Sequence, residues 1–429
     1  MTLVLLFGSF FVLLLLNVPV AAAMGLATFI GIRMEDFSIT SFANLMYASM
    51  SKSVLLAIPF FILAGVLMDY AGISRRLIRF SQVCVGHLRG GMAIVVVLVS
   101  CFFAAISGSG PATVAALGGI LIPAMAQAGY NKNMSASLVA ASGGIGIIIP
   151  PSIAFVIFAM LAEVSVGNLF MCGIVPGLVM GLAYCLAAFW SMRRDGTGVI
   201  RQERASVREC WLAFKDAVWG LLTPIIILGG IYGGIFTPTE ASGVAVVYGL
   251  VVGLFIHREI KFRDLWRMFV DSAVTSAVVM FILGCAGVFG WLLVTTGGAE
   301  ELSASFMRLS TNPYVILLLI NIVFVIAGCF MEANSAYCIF LPILLPILGE
   351  IGYNPYAFGV FMVSSFAVGM ITPPVGVNLF VACNVAKISM KDICSKVAPF
   401  VVAGFIAVFL FTYVPEITLF LPRWMGLKV

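Results

Sequence analysis

Two pairs of prolines, Pro150-Pro151 and Pro373-Pro374, interrupt apolar runs that would otherwise read as membrane helices. A proline pair removes two N–H donors and frees the carbonyls about a turn upstream. In low-dielectric surroundings a small cation can satisfy those oxygens. Carbonyls and hydroxyls suit a monovalent hard cation, whereas a divalent ion normally recruits carboxylates. The half-helix that starts after each pair points its positive N-terminus into the same place, which suits an anion. One isolated membrane proline is ordinarily a kink without a ligand. Two pairs in matching contexts point to a site for a sodium ion and an anionic solute.

Other chemistries lack their parts. Gly108-Ser109-Gly110 superficially resembles the setting of a membrane serine nucleophile, but such a serine needs a base in reach. The two histidines, His87 and His257, both fall in basic loops, so the chain does not read as an enzyme. Neither Lys52-Ser53 nor Lys391-Asp392 follows the glycines of a phosphate-binding loop, so the chain does not hydrolyse ATP itself. Ten cysteines occur singly, mostly inside apolar runs where they act as small hydrophobes. No disulfide framework, metal cage or organic cofactor is expected. Glu163, Glu240, Asp271 and Glu332 lie at or near span ends. Intramembrane acids are functional candidates by default, but reach to an interface argues against a proton relay. Glu332, in a hairpin tip, is the one most worth testing.

The elements that must carry these residues are membrane helices. Apolar residues make up 62% of 429 positions and charged residues 10%, with mean hydropathy +1.16. That composition leaves no room for a soluble domain of ordinary size. The first 32 residues contain no Lys or Arg. They therefore read as mature membrane helix rather than a secretory leader, despite Ala21-Ala22-Ala23. The net charge of +5 sits in a few loops, a topology signal rather than one for nucleic acid. Basic clusters occur at Arg75–Arg89, Arg193–Lys215, His257–Arg267 and Lys387–Lys396, and the positive-inside rule makes these loops cytoplasmic. The loops around Glu35-Asp36, Glu300-Glu301 and Glu350 face outward. Crossings are expected at about 54–71, 133–163, 168–191, 217–236, 238–256, 268–296, 357–386 and 397–420. Residues 2–32 cross once or twice, with a break at Asn17-Val18-Pro19.

Residues 91–127 and 313–349 must each leave and return on the same side. Ser107-Gly108-Ser109-Gly110-Pro111 interrupts the first, and the segment from Gly328 to Ser335 interrupts the second. These read as re-entrant helical hairpins, whose non-helical tips are tolerated where they are buried in protein or line a watery cavity. Arg75, Leu77, Ile78 and Phe80 would form a surface-lying amphipathic helix, as would Phe262, Leu265, Trp266 and Phe269.

A self-match at a constant shift of 223, the interval from Pro150 to Pro373, ties these features together. Pro123 matches Pro346, Gly129-Tyr130-Asn131 matches Gly352-Tyr353-Asn354, Gly146 matches Gly369, and Pro176 matches Pro399. The first copy starts from a basic, cytoplasmic loop and the second from an acidic, outer one, so the repeats are inverted. Inverted repeats with discontinuous helices at the midplane are the signature of secondary transporters. The fold class is therefore all-α and polytopic, each repeat holding a hairpin and a broken transmembrane helix. A channel would also tolerate inverted repeats, but paired tips facing paired breaks fit occluded alternating access better.

The chain resembles the large membrane subunit of the TRAP (tripartite ATP-independent periplasmic) transporters along essentially its whole length. The carriers are Ile58-Pro59-Phe60-Phe61-Ile62-Leu63-Ala64-Gly65, the Ser107–Pro111 tip, Ile149-Pro150-Pro151-Ser152, Phe236-Thr237-Pro238-Thr239-Glu240-Ala241 and Ile371-Thr372-Pro373-Pro374-Val375-Gly376-Val377-Asn378. The resemblance implies an elevator mechanism, sodium coupling and a bacterial inner-membrane location. It implies as partners a small four-helix membrane subunit (Q type) and a periplasmic binding protein (P type) that delivers a small organic anion. Membrane lipid surrounds the chain. The implied domains are scaffold helices and an interfacial arm (1–90), transport repeat 1 (91–163), scaffold helices with a cytoplasmic loop at 192–216 (164–312), transport repeat 2 (313–386) and a C-terminal scaffold helix (387–429). The implied sodium sites fall on Ser107, Gly110, Gly146, Ile149 and Pro151, and on Gly328, Gly369, Thr372 and Val375. Candidates for the solute, by their hydroxyls and amides, are Ser109, Ser152, Asn334, Ser335, Thr372 and Asn378. Relatives that carry sugar acids use a basic side chain near the second hairpin. Between Trp291 and Asn334 this chain has only Arg308, in the outer loop, so the type of anion stays open. A sodium-coupled elevator of another family, working without a binding protein, is the nearest alternative.

Overall fold

The computed structural model describes residues 2–195, 203–310 and 312–429. Arg201 of the second basic cluster lies outside the described residues. No strand occurs among the described residues, and nine helices there are long and apolar enough to cross a membrane.

Residues 2–32 resolve into two helices, α1 (Thr2–Leu15) and α2 (Val20–Met34), separated at Asn17-Val18-Pro19 with Asn17 at φ +64°. Next come α3 (Ile39–Met50), α4 (Ala57–Tyr70) and α5 (Ile73–Val85). Helix α5 buries Ile73, Leu77 and Ile78 and leaves its arginines at the surface, as its amphipathic pattern requires. Arg75 and Arg76 pair with Glu259 at 2.7 and 2.6 Å, tying this arm to a distant loop. The first hairpin is α6 (Gly91–Ser107) and α7 (Gly110–Gln127), and the first broken helix is α8 (Lys132–Gly144) and α9 (Ile153–Leu161). Long helices α10 (Val166–Asp195) and α11 (Val207–Tyr232) follow, then α12 (Pro238–Val251) and α13 (Phe262–Thr295).

Helix α13 corrects one expectation. Phe262, Leu265, Trp266 and Phe269 do not form a separate surface-lying helix. They are the opening turns of a continuous helix of 34 residues, about 51 Å long at ~1.5 Å per residue. No glycine or proline stands between Phe262 and Leu283 to end it. The second half continues with α14 (Gly298–Leu309), the hairpin α15 (Pro313–Phe330) and α16 (Ala333–Ile351), and the broken helix α17 (Pro355–Gly369) and α18 (Val377–Ala386). It closes with α19 (Met390–Tyr413) and α20 (Glu416–Trp424), so the expected last crossing at 397–420 ends at Tyr413 and a short helix follows.

The repeat extends beyond the stretch where residues match. Shifted by 223, the starts of α5 through α10 land within two residues of the starts of α14 through α19. The start of α3 lands on that of α13, so α13 is the unbroken counterpart of α3 plus α4. Helix α2 packs along α13 as α12 packs along α4. The Gly-Tyr-Asn repeat has a local cause. Gly129 (φ +87°) and Gly352 (φ +65°) end one helix in the left-handed region. Asn131 and Asn354 each cap the next, accepting two backbone N–H bonds. A cap of this kind contributes about 1 kcal/mol.

The halves interlock reciprocally: α7 packs on α18, α16 packs on α9, and α10 packs on α19. Each hairpin of one repeat thus lies against the broken helix of the other, and this brings both tips to the depth of both breaks.

Candidate cation and solute site

At the first tip, Gly108 turns the chain at φ +62° and leaves Ser109 extended before α7. This tip sits on the first break. A Cβ on Gly108 would lie 3.1 Å from the Pro151 carbonyl oxygen, and one on Gly146 would lie 2.7 Å from Thr113 Oγ1 and 3.1 Å from the Ser109 carbonyl oxygen. Only glycine admits so close an approach of backbones. The Ser109 carbonyl accepts Thr113 Oγ1 at 2.8 Å and Ser107 Oγ at 3.4 Å. Ser107, Gly110, Gly146 and Pro151 are therefore brought together. Ile149 shares the break, but its side chain lies against Gly177, leaving its main chain as the group available to a ligand.

At the second tip the approach is backbone to backbone. A Cβ on Gly369 would lie 2.7 Å from Gly328 Cα, and one on Gly328 would lie 2.9 Å from Gly369 Cα. Gly376 N–H donates to the Cys329 carbonyl at 2.9 Å, which locks the break to the hairpin. Thr372 Oγ1 donates to the Val368 carbonyl at 2.7 Å, leaving its oxygen lone pairs to accept or to coordinate. The Val375 side chain is exposed, so at this position too the main chain is the available group.

The carbonyls freed by the prolines are less bare than the sequence implies. Pro150 and Pro151 deprive Gly146 and Ile147 of donors, but Ser152 Oγ donates to the Ile147 carbonyl at 2.6 Å. Pro373 and Pro374 deprive Gly369 and Met370, but Thr372 N–H reaches the Gly369 carbonyl at 2.9 Å and Asn378 N–H the Met370 carbonyl at 3.1 Å. A carbonyl oxygen has two lone pairs, so one such bond leaves a second direction open.

The solute candidates divide by burial. Ser152 and Asn378 are fully buried and Ser335 nearly so. Ser152 caps α9 through Phe155 N–H in addition to its bond to Ile147. Asn378 reaches across the repeats: its Nδ2 donates to the Ala140 carbonyl at 3.1 Å. Its Oδ1 has no hydrogen-bond partner among the described residues, and a Cβ on Gly110 would lie 3.3 Å from that atom. Asn378 thus lies buried against the first tip. Ser109, Asn334 and Thr372 remain partly exposed. The first break is buried throughout, whereas Pro373, Pro374 and Val375 of the second break are exposed, as is Glu332 of the second tip. The open face of the site is therefore at the second break, next to Thr372.

Sequence reasoning missed Thr113 and Met370. Thr113 holds the Ser109 carbonyl, and the Met370 methyl lies 3.1 Å from where a Cβ on Gly110 would stand. The four-residue spacing of Thr113 from the tip was the available signal, since a helical threonine bonds back one turn; nothing local marks Met370. Among the acids, Glu240 closes a capping box with Thr237, Asp271 pairs with Arg267 at 3.8 Å, and Glu332 Oε1 accepts Asn334 Nδ2 at 3.3 Å.

Two inverted halves, each a hairpin whose tip meets the break of a discontinuous membrane helix, define a secondary-transporter fold. The sequence sets the family: the family described as "Tripartite ATP-independent periplasmic transporter, DctM component" matches residues 7–417, and the chain belongs to it. This is a family of transporter permeases of the membrane, not of enzymes. The chain is 43% identical over 417 residues to the isethionate TRAP transporter permease protein DctMQ of Oleidesulfovibrio alaskensis, covering 97% of this chain and 65% of that longer protein. It is 40% identical over 391 residues to the C4-dicarboxylate TRAP transporter large permease protein DctM of Pseudomonas aeruginosa, covering 91% of each. Among solved structures, the fold is similar to the YdaH transporter of Alcanivorax borkumensis, with TM-score 0.62 at 15% identity over 92% of this chain and 89% of that one. It is also similar to MtrF of Neisseria gonorrhoeae, with TM-score 0.60 at 14% identity over 88% and 84%.

Proposed function

We propose that the chain takes up a small organic anion, a carboxylate or sulfonate, by sodium-coupled elevator transport. A periplasmic binding protein delivers the anion, and a small four-helix subunit completes the membrane part. The observation that carries the reading is the seating of each hairpin tip in the backbone break of its own repeat, with glycines where the two segments meet. Sodium ions held there by Ser107, Gly110, Gly146, Ile149 and Pro151, and by Gly328, Gly369, Thr372 and Val375, would draw each tip onto its break. Their charge would offset that of an anion held by neutral groups, Thr372 and Asn334 foremost. That dependence of anion binding on bound cations is the coupling. The isethionate and C4-dicarboxylate relatives support the class of solute, since both names denote small anions.

The moving body in this reading is the two hairpins and the two broken helices. Helices α10 and α19 join it: the sequence division left them in the scaffold, but both pack on α8 and α17. The remaining helices and the arms α5 and α14 stay fixed. The test is uptake into liposomes holding the chain with its small subunit, driven by an inward sodium gradient, with isethionate and C4-dicarboxylates offered with and without the binding protein. Uptake that needs both partner proteins is expected. Saturable uptake by the chain alone would favour the self-sufficient elevator.

A further inference from the structure

Helix α15 packs along α17, and Asn321, Phe324 and Gly328 share its facing stripe at helical spacing. Gly328 is the tip residue that meets Gly369. Phe324 packs on Phe358, Phe361 and Phe366, with ring centroids 5.9, 5.6 and 5.3 Å away. Asn321 is an almost fully buried amide inside an apolar helix, where polar groups need partners. Both of its ends have them. Its Oδ1 accepts from Ser365 Oγ of α17 at 3.2 Å, and its Nδ2 donates to Thr412 Oγ1 of α19 at 3.3 Å. Ser365 Oγ also reaches the Phe361 carbonyl at 2.8 Å, and Thr412 Oγ1 donates to the Val408 carbonyl at 2.8 Å. The Tyr353 hydroxyl donates to the Thr412 carbonyl at 2.9 Å. Three helices are thus joined one to two turns from the second tip and break. The first repeat has no such amide. Shifted back by 223, Asn321, Ser365 and Thr412 fall on Leu98, Ser142 and Phe189, and Ser142 Oγ has no hydrogen-bond partner among the described residues.

We infer that Asn321 is a positioning residue for the second cation site: by bridging α17 and α19 it fixes the register of α15, and so the height at which Gly328 meets Gly369. The inference rests on the reading of that tip and break as a cation site. Contacts between apolar side chains are non-directional, so the Phe324 cluster tolerates a lengthwise slip of α15. Hydrogen bonds do not. A slip of ~1.5 Å, the rise of one residue, would stretch bonds of this length beyond hydrogen-bonding range. The tip needs such a stop because its two backbones touch with no room for a methyl group. The asymmetry between the repeats has a matching cause. The first break is buried throughout and is held by packing on all sides, whereas the second is exposed on one side and has less packing to hold its tip.

The test compares Asn321→Leu, Thr412→Val and Thr412→Ser with the unaltered full chain. Asn321→Leu leaves no orphaned hydroxyl, because Ser365 and Thr412 keep their bonds to their own helices. The first measurement is amide hydrogen exchange in nanodiscs, which reports local opening. In Asn321→Leu and Thr412→Val, exchange over residues 372–378, which include the Gly376 N–H bonded to Cys329, should speed roughly 3- to 30-fold, from ~0.6–2 kcal/mol for an interhelical bond and ~1.4 kcal/mol per tenfold. Exchange over 145–152 at the first break should not change, and Thr412→Ser, which keeps the hydroxyl, should behave as the unaltered chain. The second measurement is uptake into liposomes with the partner proteins. The sodium concentration for half-maximal uptake should rise by the same factor in Asn321→Leu and Thr412→Val, with the maximal rate retained. A purely structural role would lower the maximal rate and leave that concentration alone, and this result would overturn the inference. So would exchange that is unaltered at the second break, or that speeds equally at both breaks. Uptake by the unaltered chain that ignores sodium is the separate failure of the proposed function, and exchange at the second break then decides by itself whether Asn321 sets the tip.

Discussion

Gly146 and Gly369 hold equivalent places in the two repeats, and neither has room for a methyl group. In each case the hypothetical Cβ comes within 2.7 Å of an atom of the facing hairpin. Close packing makes such overfilling cost about 1–3 kcal/mol, or else the tip must shift. Gly369→Ala should therefore lower uptake at least about fivefold by that magnitude while the protein still elutes as a single species. Gly349 is the matched control, because nothing lies within 4 Å of its added Cβ, and Gly349→Ala should transport normally. Equal uptake by the two variants, measured as initial rates in liposomes, would show that the tip need not touch the break.

At the scale of elements, the orientation of the helices rests on the distribution of Lys and Arg. A cysteine at Glu203 should be closed to an impermeant thiol reagent added from the periplasm, and a cysteine at the exposed Ala304 of α14 should be open to it, on a background without the ten native cysteines. Labelling of position 203 from outside would invert the topology. Much of this level was legible in advance because its causes are local. Proline pairs, capping asparagines and left-handed glycines recur at one interval, so the hairpins and broken helices could be placed from residues alone. Helix α13 was misread because an amphipathic start followed by an apolar run has the same pattern whether or not the helix bends between them. The buried side of the site was hidden for a different reason. Whether Asn378 faces solute or the Ala140 carbonyl depends on how two segments 238 positions apart pack, and no local pattern encodes that.

For the whole molecule, the account requires one group of helices to slide past another. Phe61 on α4 and Phe170 on α10 meet edge to face across the proposed boundary, with ring centroids 6.5 Å apart. Cysteines at these two positions, joined by a short cleavable crosslinker, should stop uptake, and cleavage should restore it. Full uptake by the crosslinked protein would mean that α4 and α10 do not move apart. The reciprocal packing of each hairpin on the other repeat's broken helix gives such a body a reason to move as one piece. Ions bound at either tip would then bias the same displacement.

The central claim is that the tips and breaks bind sodium and that this binding drives uptake. Thr372→Val tests it most directly, since it keeps the shape of the side chain and removes one oxygen from the second break. The measurement is the sodium concentration giving half-maximal uptake in liposomes holding the chain and its partner proteins. Loss of one ligand should cost about 1–3 kcal/mol, raising that concentration roughly 5- to 150-fold, and potassium should not replace sodium in either protein. A folded Thr372→Val protein with unaltered sodium dependence, or uptake that runs equally well on potassium, would contradict the account.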